Sequence, residues 1–145
     1  MTDKELFEIS KEARLKAYAP YSGYRVGAAL LGKSGRVYTG CNVENAAYTP
    51  TNCAERTAIF KAISEGEREF SAIAVCGGSA DAPDDGCTPC GICRQVLREF
   101  CNEDFPIILK KGDGIIRVTL GELLPFSFSK ASLVQQKERI GNENV

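Results

Sequence analysis

The chain has no histidine among its 145 residues. Imidazole is therefore excluded both as a metal ligand and as a general base. Any soft-ligand zinc site must be built from thiolates, and the leading proton carrier is a carboxylate. Charge of one sign is not in excess either: 18 basic residues stand against 19 acidic ones, for a net charge of −1. That balance argues against a general nucleic-acid binder, which carries a basic stripe. The one adjacent basic pair, Lys110-Lys111, reads as a solvated strand end. No apolar run reaches the length of a membrane span. Met1-Thr2-Asp3-Lys4-Glu5 shows no basic region leading into an apolar stretch, so a secretory signal is not expected. The expectation is a cytoplasmic, reduced protein without a membrane partner. No internal repeat or linker divides the sequence, so one domain over residues 1–145 is expected, its last ~10 residues a frayed tail.

Cysteine, by contrast, occurs seven times. In a reducing compartment that number points to metal binding or catalysis more than to a disulfide framework, and an odd count cannot pair completely. A chain of this length buries a core without disulfides.

Apolar periodicity predicts helices over 3–18, 53–64 and 90–100, with a short one over 119–124. Apolar runs predict strands over 25–32, 36–42, 71–77, 106–110 and 115–119. Gly32-Lys33-Ser34-Gly35 is a hairpin signal, and Gly112-Asp113-Gly114 joins the last two strands. Residues 42–52 and 77–89 read as loops. The order α-β-β-α-β-α-β-β favours an α/β layered domain with a mixed sheet.

Two short motifs carry the chemistry: Cys53-Ala54-Glu55 and Pro89-Cys90-Gly91-Ile92-Cys93. On a helix, positions i and i+3 share a face, so Cys90 and Cys93 can grip one metal. Pro89 suits the start of that helix, and Cys53 also sits where a helix should begin. Helix amino termini favour thiolate. A catalytic zinc needs three protein ligands, an open position and a proton carrier, which Cys53, Cys90, Cys93 and Glu55 can provide. A lone CxxC also fits a redox pair or a structural half-site. Cys87 lies three before Cys90 and with the other thiols would close a four-cysteine structural module with no open position. It precedes Pro89, however, and lies off the shared face. Glu55 points in a different helical direction from Cys53, so spacing alone does not bring it to a metal. Arg56 is either a surface charge or a donor to the sulfurs that offsets their negative charge. Cys41, Cys76 and Cys101 read as small buried hydrophobes.

Cys53-Ala54-Glu55-Arg56 followed by Pro89-Cys90-Gly91-Ile92-Cys93-Arg94-Gln95 resembles the zinc nucleoside deaminases. The chain is more closely similar to the small homotetrameric cytidine deaminases, from about Tyr18 to Phe128. That likeness runs through Ala19-Pro20-Tyr21-Ser22, Val26-Gly27-Ala28-Ala29-Leu30, Asn42-Val43-Glu44-Asn45-Ala46 and Leu123-Leu124-Pro125. The resemblance implies a three-layer α/β/α domain around a five-stranded mixed sheet. It implies one zinc per chain on Cys53, Cys90 and Cys93, with Glu55 as proton carrier and Arg56 beside the sulfurs. Asn42 and Glu44 would read the ribose hydroxyls, and the backbone around Ala54 would contact the base. Phe128, with Phe126 close enough to confuse the register, would stack on the base bound by a neighbouring subunit; alternatively both are core aromatics. The implied activity is hydrolysis of cytidine and deoxycytidine to uridine and deoxyuridine in pyrimidine salvage.

Three features depart from the family pattern. Tyr24, beside the ribose site, stands where Phe is usual, and its hydroxyl calls for a partner. Cys87 is not part of the pattern, and the loop from Ser79 to Gly86 is long. Among rival activities, a blasticidin S deaminase would lack the Asn42-to-Asn45 pattern. Editing of polynucleotides is disfavoured by the balanced charge.

Overall fold

The computed structural model describes residues 1–79, 82, 86–134 and 141. The tail expected to fray from Gln135 lies outside the described residues, save Gly141.

Helix α1, Asp3–Arg14, begins at a capping box. The Thr2 hydroxyl accepts from the Glu5 amide at 3.2 Å, and the Glu5 carboxylate accepts from the Thr2 amide at 2.7 Å. The helix stops before Tyr18, where a longer one was expected. Tyr18 is drawn into a bridge instead: its N–H donates to Asn42 O at 3.0 Å and its carbonyl accepts from Glu44 N–H at 2.8 Å. Strands β1, Tyr24–Gly32, and β2, Val37–Cys41, form the expected hairpin, with Gly35 at φ 91° in its turn. Helix α2, Ala54–Ser64, leads to β3, Phe70–Ser79, and α3, Gly91–Phe100, leads to β4, Pro106–Lys111. Strand β5, Gly114–Thr119, and the single turn α4, Leu120–Leu123, follow. Lys110-Lys111 closes β4 as expected, with Lys111 exposed.

The five strands form one sheet in the order β2-β1-β3-β4-β5. Only the β3–β4 pair is parallel, and α3 provides the crossover that a parallel pair needs. β3 runs two residues past the expected end at Gly77, because Gly78 and Ser79 pair with Arg25 and Tyr24 of β1.

Helices cover both faces. On one, Leu6 and Phe7 of α1 pack on Ala29, Ala72, Ala74, Cys76 and Ile108. On the other, α2 and α3 bring Ala54, Ala58, Ile59 and Leu97 onto Ala28, Leu30, Ile73, Val75 and Ile107. The alternation of residues along β1, with Ala28 facing one way and Ala29 the other, feeds the two layers. Two glycines let the helices sit close. A Cβ on Gly27 would lie 2.1 Å from Ser10 O of α1, and one on Gly40 would lie 2.3 Å from Ala54 O of α2. Cys76 and Cys101 are buried and Cys41 half-buried, in keeping with the hydrophobe reading.

Candidate metal and catalytic site

Helices α2 and α3 both begin on a cysteine. Cys53 and Cys90 are the cap residues, each with extended backbone. Cys90 is thus one residue outside the helix, and the shared-face argument for Cys90 and Cys93 is replaced by a cap. The Cys90 sulfur accepts from the Cys93 amide at 3.4 Å, as a serine or aspartate cap would. Close packing on Gly40 fixes the start of α2, and Arg94 Nε donates to Pro89 O at 2.7 Å to fix the start of α3.

The two helix starts converge. Cys53 and Cys90 Sγ are 3.8 Å apart, Cys90 and Cys93 Sγ are 3.4 Å apart, and all three sulfurs lie within 4.8 Å of one another. A tetrahedral zinc with Zn–S bonds of about 2.3 Å spaces its sulfurs at about 3.8 Å, so the donor set fits one zinc. Cys93 is buried, while Cys90 is exposed and leaves the cluster open on one side. Hydrogen bonding from Cys93, then the Arg56 guanidinium, pulls the Cys53 thiol down to about 5. Cys93 is shifted upward, chiefly by the same Cys53 partner, so the two thiols share a proton. A metal that demands three thiolates must displace that proton. Arg56 Nη2 donates to Cys53 Sγ at 3.1 Å, which makes it the donor that offsets thiolate charge. Its Nε is buried with no partner among the described residues.

Glu55 is 3 % exposed. The Cys93 side chain and the Cys53 thiolate both act on its carboxyl, so packing brings it near the cluster although helical direction separates it from Cys53. Burial raises its pKa above the ordinary carboxylate value. Ala54, between Cys53 and Glu55, is fully buried beneath the helix start. Cys87 does not join the three sulfurs. Burial pushes its thiol up to about 11, and it lies outside the three-sulfur group that can share one metal. The four-cysteine module is not what the chain builds.

A second group of polar residues lies at the β1 end of the sheet. Asn42 Oδ1 accepts from Val26 N–H and its Nδ2 donates to Tyr24 O, both at 2.8 Å. Glu44 Oε1 accepts from the amides of Tyr21 at 2.9 Å and Ser22 at 3.1 Å. The Ser22 side chain and these amides hold the Glu44 carboxyl below its ordinary pKa, so it is an ionised acceptor at neutral pH. A cavity of about 310 Å³ opens there, lined by Tyr21, Ser22, Glu44, Tyr48 and Thr51. Tyr21 and Ser22 belong to a motif visible in the sequence, but backbone donors leave no residue-type signal. Phe128 is not brought into the thiol cluster. It is 58 % exposed beside α3, its carbonyl accepting from Gln95 Nε2 at 3.0 Å. Phe126 is fully exposed at φ 53°, so neither ring is a core aromatic of this chain.

Residues 1–109 match the family described as the cytidine and deoxycytidylate deaminase zinc-binding region. The chain belongs to that family. The matched span contains the three thiols, Glu55, Arg56, Asn42, Glu44 and Tyr24, and ends before Phe128. The cytidine deaminase of Sporosarcina psychrophila is 50% identical over 141 residues, 96% of this chain and 100% of that one. The cytidine deaminase of Halalkalibacterium halodurans is 48% identical over 130 residues, 89% of this chain and 96% of its own length. The crystal structure of cytidine deaminase from Burkholderia pseudomallei superposes with a TM-score of 0.80 at 47% identity, covering 88% of this chain and 100% of that one. The five-stranded mixed sheet between helical layers is thus the deaminase fold, as expected. No helix among the described residues is long and apolar enough to cross a membrane.

Proposed function

We propose that this protein hydrolyses cytidine and 2′-deoxycytidine to uridine and 2′-deoxyuridine, releasing ammonia. The observation that carries the reading is the convergence of Cys53, Cys90 and Cys93 with the buried Glu55 carboxyl against them. When bound, zinc supplies Lewis acidity that makes a nucleophilic oxygen available near neutral pH. Glu55 moves the protons. Its carboxyl takes one from the attacking water and gives it to N3 of the pyrimidine as C4 is attacked. It gives the next to the C4 amine as ammonia leaves, so water and cytidine become ammonia and uridine. A carboxyl whose pKa is raised by burial is suited to both directions of transfer. Arg56 holds charge against Cys53 throughout.

Asn42 keeps one Nδ2 hydrogen, and Glu44 its second oxygen, for the ribose hydroxyls. Tyr24, whose carbonyl accepts from Asn42 Nδ2, stands beside the ribose site, and the main chain at Ala54 contacts the base. A carboxylate facing a missing hydroxyl is left unpaired, which selects nucleoside over free base. The exposed Phe128 ring stacks on the base held by a neighbouring copy in a homotetramer. The whole chain, 1–145, acts as one domain in the cytoplasm, in pyrimidine salvage. The Asn42-to-Asn45 pattern favours this reading over a blasticidin S deaminase.

Ammonia release from cytidine by zinc-loaded protein, with cytosine as the paired control, tests the proposal. Turnover of cytidine alone supports it. Turnover of neither, with zinc bound, overturns it.

A further inference from the structure

Arg94 and Gln95 close the second cysteine motif, and their side chains reach a segment far along the chain. Arg94 Nη1 donates to Leu123 O at 2.6 Å while its Nε holds Pro89 O. Gln95 Nε2 donates to Phe128 O at 3.0 Å. One turn further along α3, Arg98 Nε donates to Ser127 Oγ at 2.9 Å, and Glu99 pairs with Lys130 at 3.8 Å. Positions i and i+4 share a helix face, so Arg94 with Arg98 and Gln95 with Glu99 form one polar strip along α3. Cys93 and Leu97 turn inward on its other side. Residues 123–130 are thus tied to the strip at four points.

The ties bracket a strained turn. Phe126 lies at φ 53°, a backbone conformation that a bulky side chain rarely adopts and that persists only where its surroundings fix it. Its ring is fully exposed, so burial within this chain does not stabilise the turn. What holds it lies on either side: Leu123 before it, Ser127 and Phe128 after it. The Gln95 bond ends on Phe128 itself, whose ring is also exposed. One helix therefore begins in the thiol cluster and, on its outer strip, sets the main chain from which Phe128 projects.

We propose that Gln95 is a positioning residue: with Arg94 and Arg98 beside it, its amide fixes the main chain at Phe128 so that the ring is presented to the nucleoside site of a neighbouring copy. The inference rests on the function proposed above. A ring held in its stacking position spares the substrate the work of ordering it, so Gln95 acts on nucleoside binding and leaves the chemical step alone.

The test is steady-state deamination of cytidine by zinc-loaded Gln95→Ala, Gln95→Glu, Phe128→Ala and the Gln95→Ala/Phe128→Ala double variant beside the unaltered chain. Gln95 is exposed, so its replacement leaves the core intact. Gln95→Ala should raise KM about three- to tenfold, the range of one hydrogen bond, with kcat within about twofold and zinc retained. Gln95→Glu keeps the size and loses the donor, and it should lose as much, which a packing role would not predict. The double variant should be no worse than Phe128→Ala, because the amide acts through the ring. Chymotrypsin cleavage after Phe126, followed by mass spectrometry, reads the hold without any substrate. It should quicken about three- to tenfold in Gln95→Ala, as the opened segment becomes more populated. Unchanged KM and cleavage in Gln95→Ala, a glutamate as good as glutamine, loss of zinc, or a Gln95→Ala effect undiminished in the Phe128→Ala background would each overturn the proposal. No deamination by the unaltered chain would instead strike the function reading, and the cleavage rates would still decide whether Gln95 holds the segment.

Discussion

The two faces of the sheet are built by the same device and put to different uses. Each receives a helix on a glycine, Gly27 for α1 and Gly40 for α2, at backbone contact distance. Under α1 the result is a packed layer of Leu6, Phe7 and small strand residues, sealed by the Asp3–Arg117 ion pair. Under α2 the same approach sets the height of a helix start that carries Cys53 and Glu55 and meets the start of α3. Close packing is thus stability on one face and ligand geometry on the other. A metal site with sulfurs a few tenths of an ångström from their bonding positions needs that rigidity.

The sharpest contrast should come from one deletion on each face. Cys93→Ala should lower zinc affinity by more than about a hundredfold and abolish turnover, since a lost ligand exceeds the effect of a lost supporting group. Phe7→Ala, in the α1 layer, should cost about 3 kcal/mol of stability yet leave folded protein with its full zinc. Metal content and thermal unfolding measured together would separate the two. Loss of zinc from folded Phe7→Ala would break the comparison.

Gly40→Ala and Gly27→Ala probe the device itself. Both should unfold at lower temperature. Only Gly40→Ala, whose Cβ collides with Ala54 O, should weaken zinc in the fraction that folds, by about tenfold or more. Equal zinc affinity in the two would show that helix height does not set the cluster.

A smaller effect is expected at the exposed ring outside both layers. Phe128→Ala should raise KM for cytidine about tenfold, the scale of one aromatic contact, with zinc retained. An unchanged KM would transfer the stacking role to Phe126. Smallest is the seal of the α1 face. Arg117 donates to Asp3 at 2.8 and 2.6 Å and holds its carboxyl below the ordinary range. A depressed carboxyl contributes fully above its unfolded-state pKa of about 4, and the contribution fades as pH falls through the lower folded-state value. Asp3→Asn should therefore lower Tm by no more than about 2 °C at pH 7, and the difference should close in acid. A difference that grew in acid would reverse the sign.

The sequence made the thiol cluster legible because it needs only two local spacings and two helix starts, each with its own signals. The order of elements followed from periodicity for the same reason. What escaped it were pairings between distant segments. The end of α1 at Arg14 is decided by Asn42 and Glu44 claiming Tyr18, and the extension of β3 by β1 accepting Gly78 and Ser79. Helical direction placed Glu55 away from Cys53, and only the packing of α2 on α3 brings it to Cys93.

The central claim is that Glu55 moves protons at a site whose metal it does not hold. Zinc content and cytidine turnover of Glu55→Gln test it together. The account predicts about one zinc per chain and a loss of nearly all turnover. An active, zinc-loaded Glu55→Gln protein would contradict it and remove this carboxyl from the reaction.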